Sequence, residues 1–74
     1  MKIKRLPLTK TEEKVWAYLL GYITDNQYAP TRQEVAIKMG FGSRQMAQFV
    51  LSNLERKGRI KLVGRGWRNI QLQV

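Results

Sequence analysis

The chain has 74 residues and a mass of 8.7 kDa, with 14 Lys+Arg against 5 Asp+Glu, a net charge of +9, and neither Cys nor His. Without thiols or imidazoles there is no disulfide framework, no Cys/His zinc site and no nucleophile–base pair built on those side chains. The sequence also has no apolar run near the ~20 residues that cross a bilayer, and its first residues lack the apolar stretch of a signal peptide.

Residues 1–8 read as a basic N-terminal arm carrying Lys2, Lys4 and Arg5, and residues 9–74 as one domain. Thr9-Lys10-Thr11-Glu12 has the form of a capping box, in which a hydroxyl and a carboxylate exchange bonds with the first backbone N–H groups of a helix. Val15, Trp16, Leu19, Leu20 and Ile23 follow at the spacing of one helical face, so helix 1 is expected over about residues 10–25. Tyr18 and Tyr22 add apolar surface beyond that stripe. The helix should fray by Asp25-Asn26, and Ala29-Pro30 imposes an extended entry to the next element.

A second capping box, Thr31-Arg32-Gln33-Glu34, opens helix 2 over about residues 32–39, with Val35, Ala36 and Met39 inward. Gly40 supplies a left-handed stop and Phe41 a core plug. Ser43 caps helix 3, expected over about residues 44–57, with Ala47, Val50, Leu51 and Leu54 forming the inward stripe and Gly58 ending it. Arg56 and Lys57 suit the negative end of that helix. From residue 59 to 74 the period changes to two. Arg59–Val63 and Asn69–Val74 alternate as half-buried strands around a glycine-rich tip, Gly64-Arg65-Gly66-Trp67-Arg68.

Two helices joined by a tight glycine turn, with small Ala36 at their crossing, form a helix-turn-helix, and a hairpin behind it is a wing. The expected fold is mainly α with a small β-hairpin: three helices followed by a two-stranded antiparallel wing. Charge follows the same division. Residues 1–11 hold four bases and no acid, residues 12–55 four bases and all five acids, and residues 56–74 six bases and no acid. A nearly neutral centre with cationic ends suits a polyanion. Double-stranded DNA is favoured over a membrane, because the basic C-terminal segment reads as strands and not as an amphipathic helix.

The stretch Pro30-Thr31-Arg32-Gln33-Glu34-Val35-Ala36-Ile37-Lys38-Met39-Gly40-Phe41 resembles the helix-turn-helix of the LexA repressor family. Leu54-Glu55-Arg56-Lys57-Gly58-Arg59-Ile60 is similar to the end of that family's recognition helix and the start of its wing. Leu8-Thr9 and the Val15-Trp16 helix fit its first helix. The resemblance implies a winged helix-turn-helix that binds operator DNA, usually as a dimer, to block transcription. It also implies that Ser43, Gln45, Met46, Gln48 and Phe49 face the bases. The family continues into a second domain with a Ser/Lys self-cleavage site and the main dimer contact; this sequence stops at Val74, as an excised domain or a free-standing phage or plasmid regulator would.

Residue chemistry adds roles to that frame. Gln45 and Gln48 carry amides able to pair bidentately with adenine, against a reading as ordinary solvated glutamines. Arg44 can reach guanine or a phosphate. Met46 and Phe49 press on thymine methyls or form a partner-binding patch, with core packing a third reading for Phe49; Ser43 is first a cap. Thr31, Arg32 and Ser52 are assigned to the DNA backbone. Arg65, Trp67 and Arg68 on the wing are assigned to the backbone or minor groove, although Trp67 could instead fold back on the hairpin.

The expected protein is a cytoplasmic, nucleoid-associated transcription regulator, more readily a repressor than an activator. No catalytic residues, metal or cofactor are expected, and a homodimer or a protein partner on exposed apolar side chains stays open. The rivals are a winged-helix docking module and an accessory factor that bends DNA for recombination or replication.

Overall fold

The computed structural model describes residues 7–64 and 69–73. Along them run α1 (Lys10–Asn26), α2 (Arg32–Met39), α3 (Arg44–Arg56), β1 (Ile60–Leu62) and β2 (Ile70–Leu72). The basic arm up to Leu6, and Arg65, Trp67 and Arg68 of the expected wing tip, lie outside the described residues. Leu8, assigned to the arm from sequence, packs against the core.

Each helix starts where its cap chemistry says it should. Thr9 accepts from the Glu12 N–H at 3.2 Å while the Glu12 carboxylate accepts from the Thr9 N–H at 3.0 Å. Thr31 and Glu34 repeat the exchange at 3.0 and 2.8 Å, and the Ser43 hydroxyl accepts from the Met46 N–H at 3.3 Å. Two orphan donors are thereby satisfied at the start of α1 and α2, and one at α3.

The ends are equally specific. Gly40 sits at φ 74°, with Phe41 N–H bonded to Ala36 O and Gly40 N–H to Ile37 O. Gly58 at φ 80° ends α3 with the same pair of bonds, Arg59 N–H to Leu54 O and Gly58 N–H to Glu55 O. Both are Schellman closures, for which glycine carries no Cβ penalty. Helix α1 ends differently: it runs through Asn26 and stops at Gln27, a non-glycine residue at φ 66°. The Gln27 side-chain amide, bonded to Thr24 O at 3.0 Å, offsets part of that strain.

The core joins Val15 and Leu19 of α1, Val35 and Ala36 of α2, Ala47, Val50, Leu51 and Leu54 of α3, and Ile60 and Ile70 of the strands. Helix α3 is its centre, packing against α1, α2 and β1. The strands are antiparallel, with Ile60 opposite Leu72, Lys61 opposite Gln71 and Leu62 opposite Ile70. They are shorter than the alternating pattern suggested. Alternation marks which face a residue takes, not where the ladder begins, and here Arg59 still belongs to the turn after α3 while Gly64 bends the chain at φ 62°. Met39 and Phe41, expected inside, are half-buried at the edge of the core.

Glu12 does more than cap. It is 5% exposed and forms an ion pair with Lys57, at the far end of α3. Burial pushes its carboxyl up, but the Lys57 hydrogen bond and charge, together with the bonds to Thr9, outweigh this and hold it below its ordinary value. A depressed carboxyl stabilises the fold fully above its unfolded value of about 4.3, and the contribution is lost as pH falls through the lower folded value. Glu12→Gln should therefore lower stability at pH 7 by about 1.5–3 kcal/mol, the range for a hydrogen bond to a charged group. In thermal melts the gap between the two proteins should close as the buffer is taken below about pH 4.

Candidate nucleic-acid interface

The amphipathic division of α3 builds the site. Ala47, Val50, Leu51 and Leu54 hold the helix to the core, so the residues between them face out by geometry. Ser43, Arg44, Gln45, Met46, Gln48, Phe49 and Ser52 are all exposed. Gln45, Gln48, Phe49 and Ser52 follow the i, i+3, i+4, i+7 rule and share one face. Phe49 is 61% exposed and Met46 41%, which removes core packing as an account of Phe49.

Helix α2 approaches the same surface with its N-terminal turn, where Thr31 and Arg32 are half-buried. The Thr31 hydroxyl is already engaged as a cap, as is that of Ser43, but each only accepts there, so its O–H proton can still donate to a phosphate oxygen or a base. Arg32 is more deeply engaged than its place in the sequence suggests. Its Nε donates to Gln48 Oε1 at 2.8 Å, and its Nη1 donates to Asn69 Oδ1 on the wing. Gln48 Nε2 in turn donates to Ser52 Oγ at 3.0 Å. Desolvation draws the guanidinium below its ordinary value, yet an arginine stays cationic throughout the range in which proteins fold. Four residues assigned or adjacent to DNA contact thus form one polar network across α2, α3 and the wing. Gln48 is exposed, with its amide oxygen on Arg32 and its NH2 on Ser52.

Asn69 was missed from sequence. A polar residue opening a strand after a glycine-rich turn carries no linear sign of a partner 37 positions upstream. The six cations of residues 56–74 were likewise not all surface charge. Lys57 is committed to Glu12, and the Arg59 guanidinium lies 5.9 Å from the centre of the Trp16 ring. Trp16 accordingly packs against the core, and Arg59 Nε is buried with no hydrogen-bond partner among the described residues.

The apolar excess of α1 is largely taken up within the chain. Tyr18 packs on the core and meets Tyr22 edge-on, with ring centroids 5.7 Å apart. Tyr22 meets Tyr28 the same way at 5.9 Å, and its hydroxyl reaches the Glu34 carboxylate of α2. Leu20 and Ile23 are half-buried. Among the described residues, no helix is long and apolar enough to cross a membrane.

Two helices set around a glycine turn, the second with its outer face bare, and an antiparallel pair of strands behind them define a winged helix-turn-helix protein. Residues 5–68 match the family described as the LexA DNA binding domain, and the chain belongs to that family. It is 45% identical over 65 residues to the LexA repressor of Alcanivorax borkumensis, covering 88% of this chain and 32% of that protein. It is 38% identical over 65 residues to that of Saccharophagus degradans, covering 88% and 32%, and 36% identical over 67 residues to that of Hahella chejuensis, covering 90% and 34%. The chain spans about a third of the length of these relatives.

Proposed function

We propose that this chain is a sequence-specific double-stranded DNA-binding regulator that represses transcription, with α3 in the major groove and the wing on the backbone or minor groove. The carrying observation is the outward face of α3: exposed polar side chains, with Met46 and Phe49 among them, on a helix whose opposite face is buried in the core. A major groove about 12 Å wide admits one such helix, and amides there can read adenine through two hydrogen bonds. Membership of the LexA DNA-binding family and likeness to proteins named LexA repressors support the same reading. Gln45 and Gln48 serve as base readers and Arg44 as a guanine or phosphate contact. Ser43, Met46 and Phe49 line the same surface, the last two able to meet thymine methyls. Thr31, Arg32, Ser52, Arg65, Trp67 and Arg68 serve the backbone or minor groove. Occupying a promoter requires no further contact, which favours repression, and nothing in this role calls for catalysis or a cofactor.

The test separates affinity from choice. Gln48→Ala should cost about 1–3 kcal/mol at a single base pair and leave discrimination at the others intact. Arg65→Ala should weaken binding to all duplexes alike. Binding measured across single-base-pair variants of a preferred duplex reads both, and the reverse pattern would show the roles to be misassigned.

A further inference from the structure

Arg32 stands between two primary amides, Gln48 on α3 and Asn69 at the wing, and donates to the oxygen of each. A guanidinium has donors and no acceptor, so each amide must turn its oxygen toward it. The Gln48 NH2 is then directed at Ser52 Oγ, 3.0 Å away, and the Asn69 NH2 at the Gly64 carbonyl, 3.2 Å away. Both of those atoms can accept, so the whole chain of bonds has one consistent sense. The Asn69 backbone oxygen also accepts from the Val63 N–H at 2.8 Å, which anchors Asn69 where the strands meet the tip.

An unconstrained glutamine amide rotates between two orientations that present donor and acceptor in opposite order. Adenine presents its N6–H and N7 in a spatial order that reverses when the base pair is turned over. An amide already set in one order therefore favours adenine on one strand over the other before any contact forms. Gln48 also keeps one oxygen lone pair and one N–H beyond those used within the protein, which is what a bidentate contact needs.

We propose that Asn69 and Arg32 are positioning residues for Gln48: bonded through Arg32, the wing strand holds the α3 amide in one donor–acceptor order and so takes part in base choice. This rests on the reading of α3 as the base-contacting helix. It adds a positioning role to the backbone contact of Arg32, and the two are separable because loss of a phosphate contact alone would weaken all sequences uniformly.

The experiment starts from the duplex that the wild-type protein enriches from a randomised pool, together with its single-base-pair variants, at one salt concentration. Gln48→Ala identifies the pair that Gln48 reads; at that pair wild type should discriminate by about 5-fold to 150-fold, the range for a bidentate contact. In Asn69→Leu that discrimination should fall below about 3-fold while the other positions keep theirs, because the lost preference belongs to one amide. Asn69→Asp retains an oxygen facing Arg32 and should preserve the discrimination. Adding Asn69→Leu to Gln48→Ala should change nothing further at that pair. In nuclear magnetic resonance spectra of the free protein, Arg32→Met should move the Gln48 side-chain NH2 signals toward those of an unconstrained amide. Unchanged discrimination in Asn69→Leu would overturn the proposal, as would an equal loss at every base pair with a lowered melting midpoint. Failure of the wild-type protein to enrich any sequence would instead overturn the DNA-reading function, and the positioning role with it.

Discussion

Raising monovalent salt from 50 to 200 mM should weaken binding to a preferred duplex about a thousandfold. DNA carries a condensed layer of counterions, and each phosphate neutralised by the protein releases about 0.9 of one, so six such contacts give a log–log slope near −5. A fourfold change in salt raised to that power is a factor of about a thousand. The cations available for this are fewer than the 14 in the sequence. Lys57 is spent on Glu12, and Arg59 lies against Trp16. Arg44 on α3 and Lys61 on the strand are exposed among the described residues, and the contacts proposed for Arg65 and Arg68 would add to them. Fluorescence anisotropy of a labelled duplex at four or five salt concentrations gives the slope directly. A slope shallower than about −2 would mean that only one or two phosphates are held, too few for this mode of binding.

The second large effect is on the fold. Leu51→Ala should destabilise the domain by about 2–5 kcal/mol, the range for truncating a buried leucine. Leu51 is fully buried on the helix that packs against α1, α2 and β1, where a cavity has no loose edge to collapse into. For a domain of this length total stability is on the order of 4–11 kcal/mol, so the variant would lose a large part of it. A urea midpoint measured by circular dichroism reads the loss. Phe49→Ala is the matched control: its side chain is 61% exposed, and truncation there should move stability by no more than about 0.5 kcal/mol. DNA binding should respond in the opposite order once the fraction folded is accounted for. Phe49→Ala removes groove-facing surface, whereas Leu51→Ala leaves that surface intact in the molecules that fold.

Much of the site was legible because its framework is built from contacts within one turn of helix. Thr9 with Glu12 and Thr31 with Glu34 meet because they are three residues apart, and each pair marks a helix start that the structure reproduces. The inward stripe of α3 leaves the residues between its members facing out; the family resemblance set Gln45, Gln48 and Phe49 among them, and the exposure of Phe49 removes the core packing that its sequence left open. The end of α1 falls within one residue of the expected position, but its cap was not legible. Gln27 adopts a left-handed conformation that favours glycine, and a residue chosen against local preference leaves no pattern to read.

Helix spans, caps, the buried stripe and the uneven distribution of charge are thus properties of the chain at short range. Periodicity and capping involve neighbours no more than a turn apart, so they survive reading in one dimension. The partners of the polar side chains were settled only by packing. Arg32 meets Gln48 across 16 positions and Asn69 across 37, and Lys57 meets Glu12 across 45. A hydrogen bond between distant segments depends on where the hydrophobic core brings their backbones, and a charged or amide side chain carries no mark of the partner it will find.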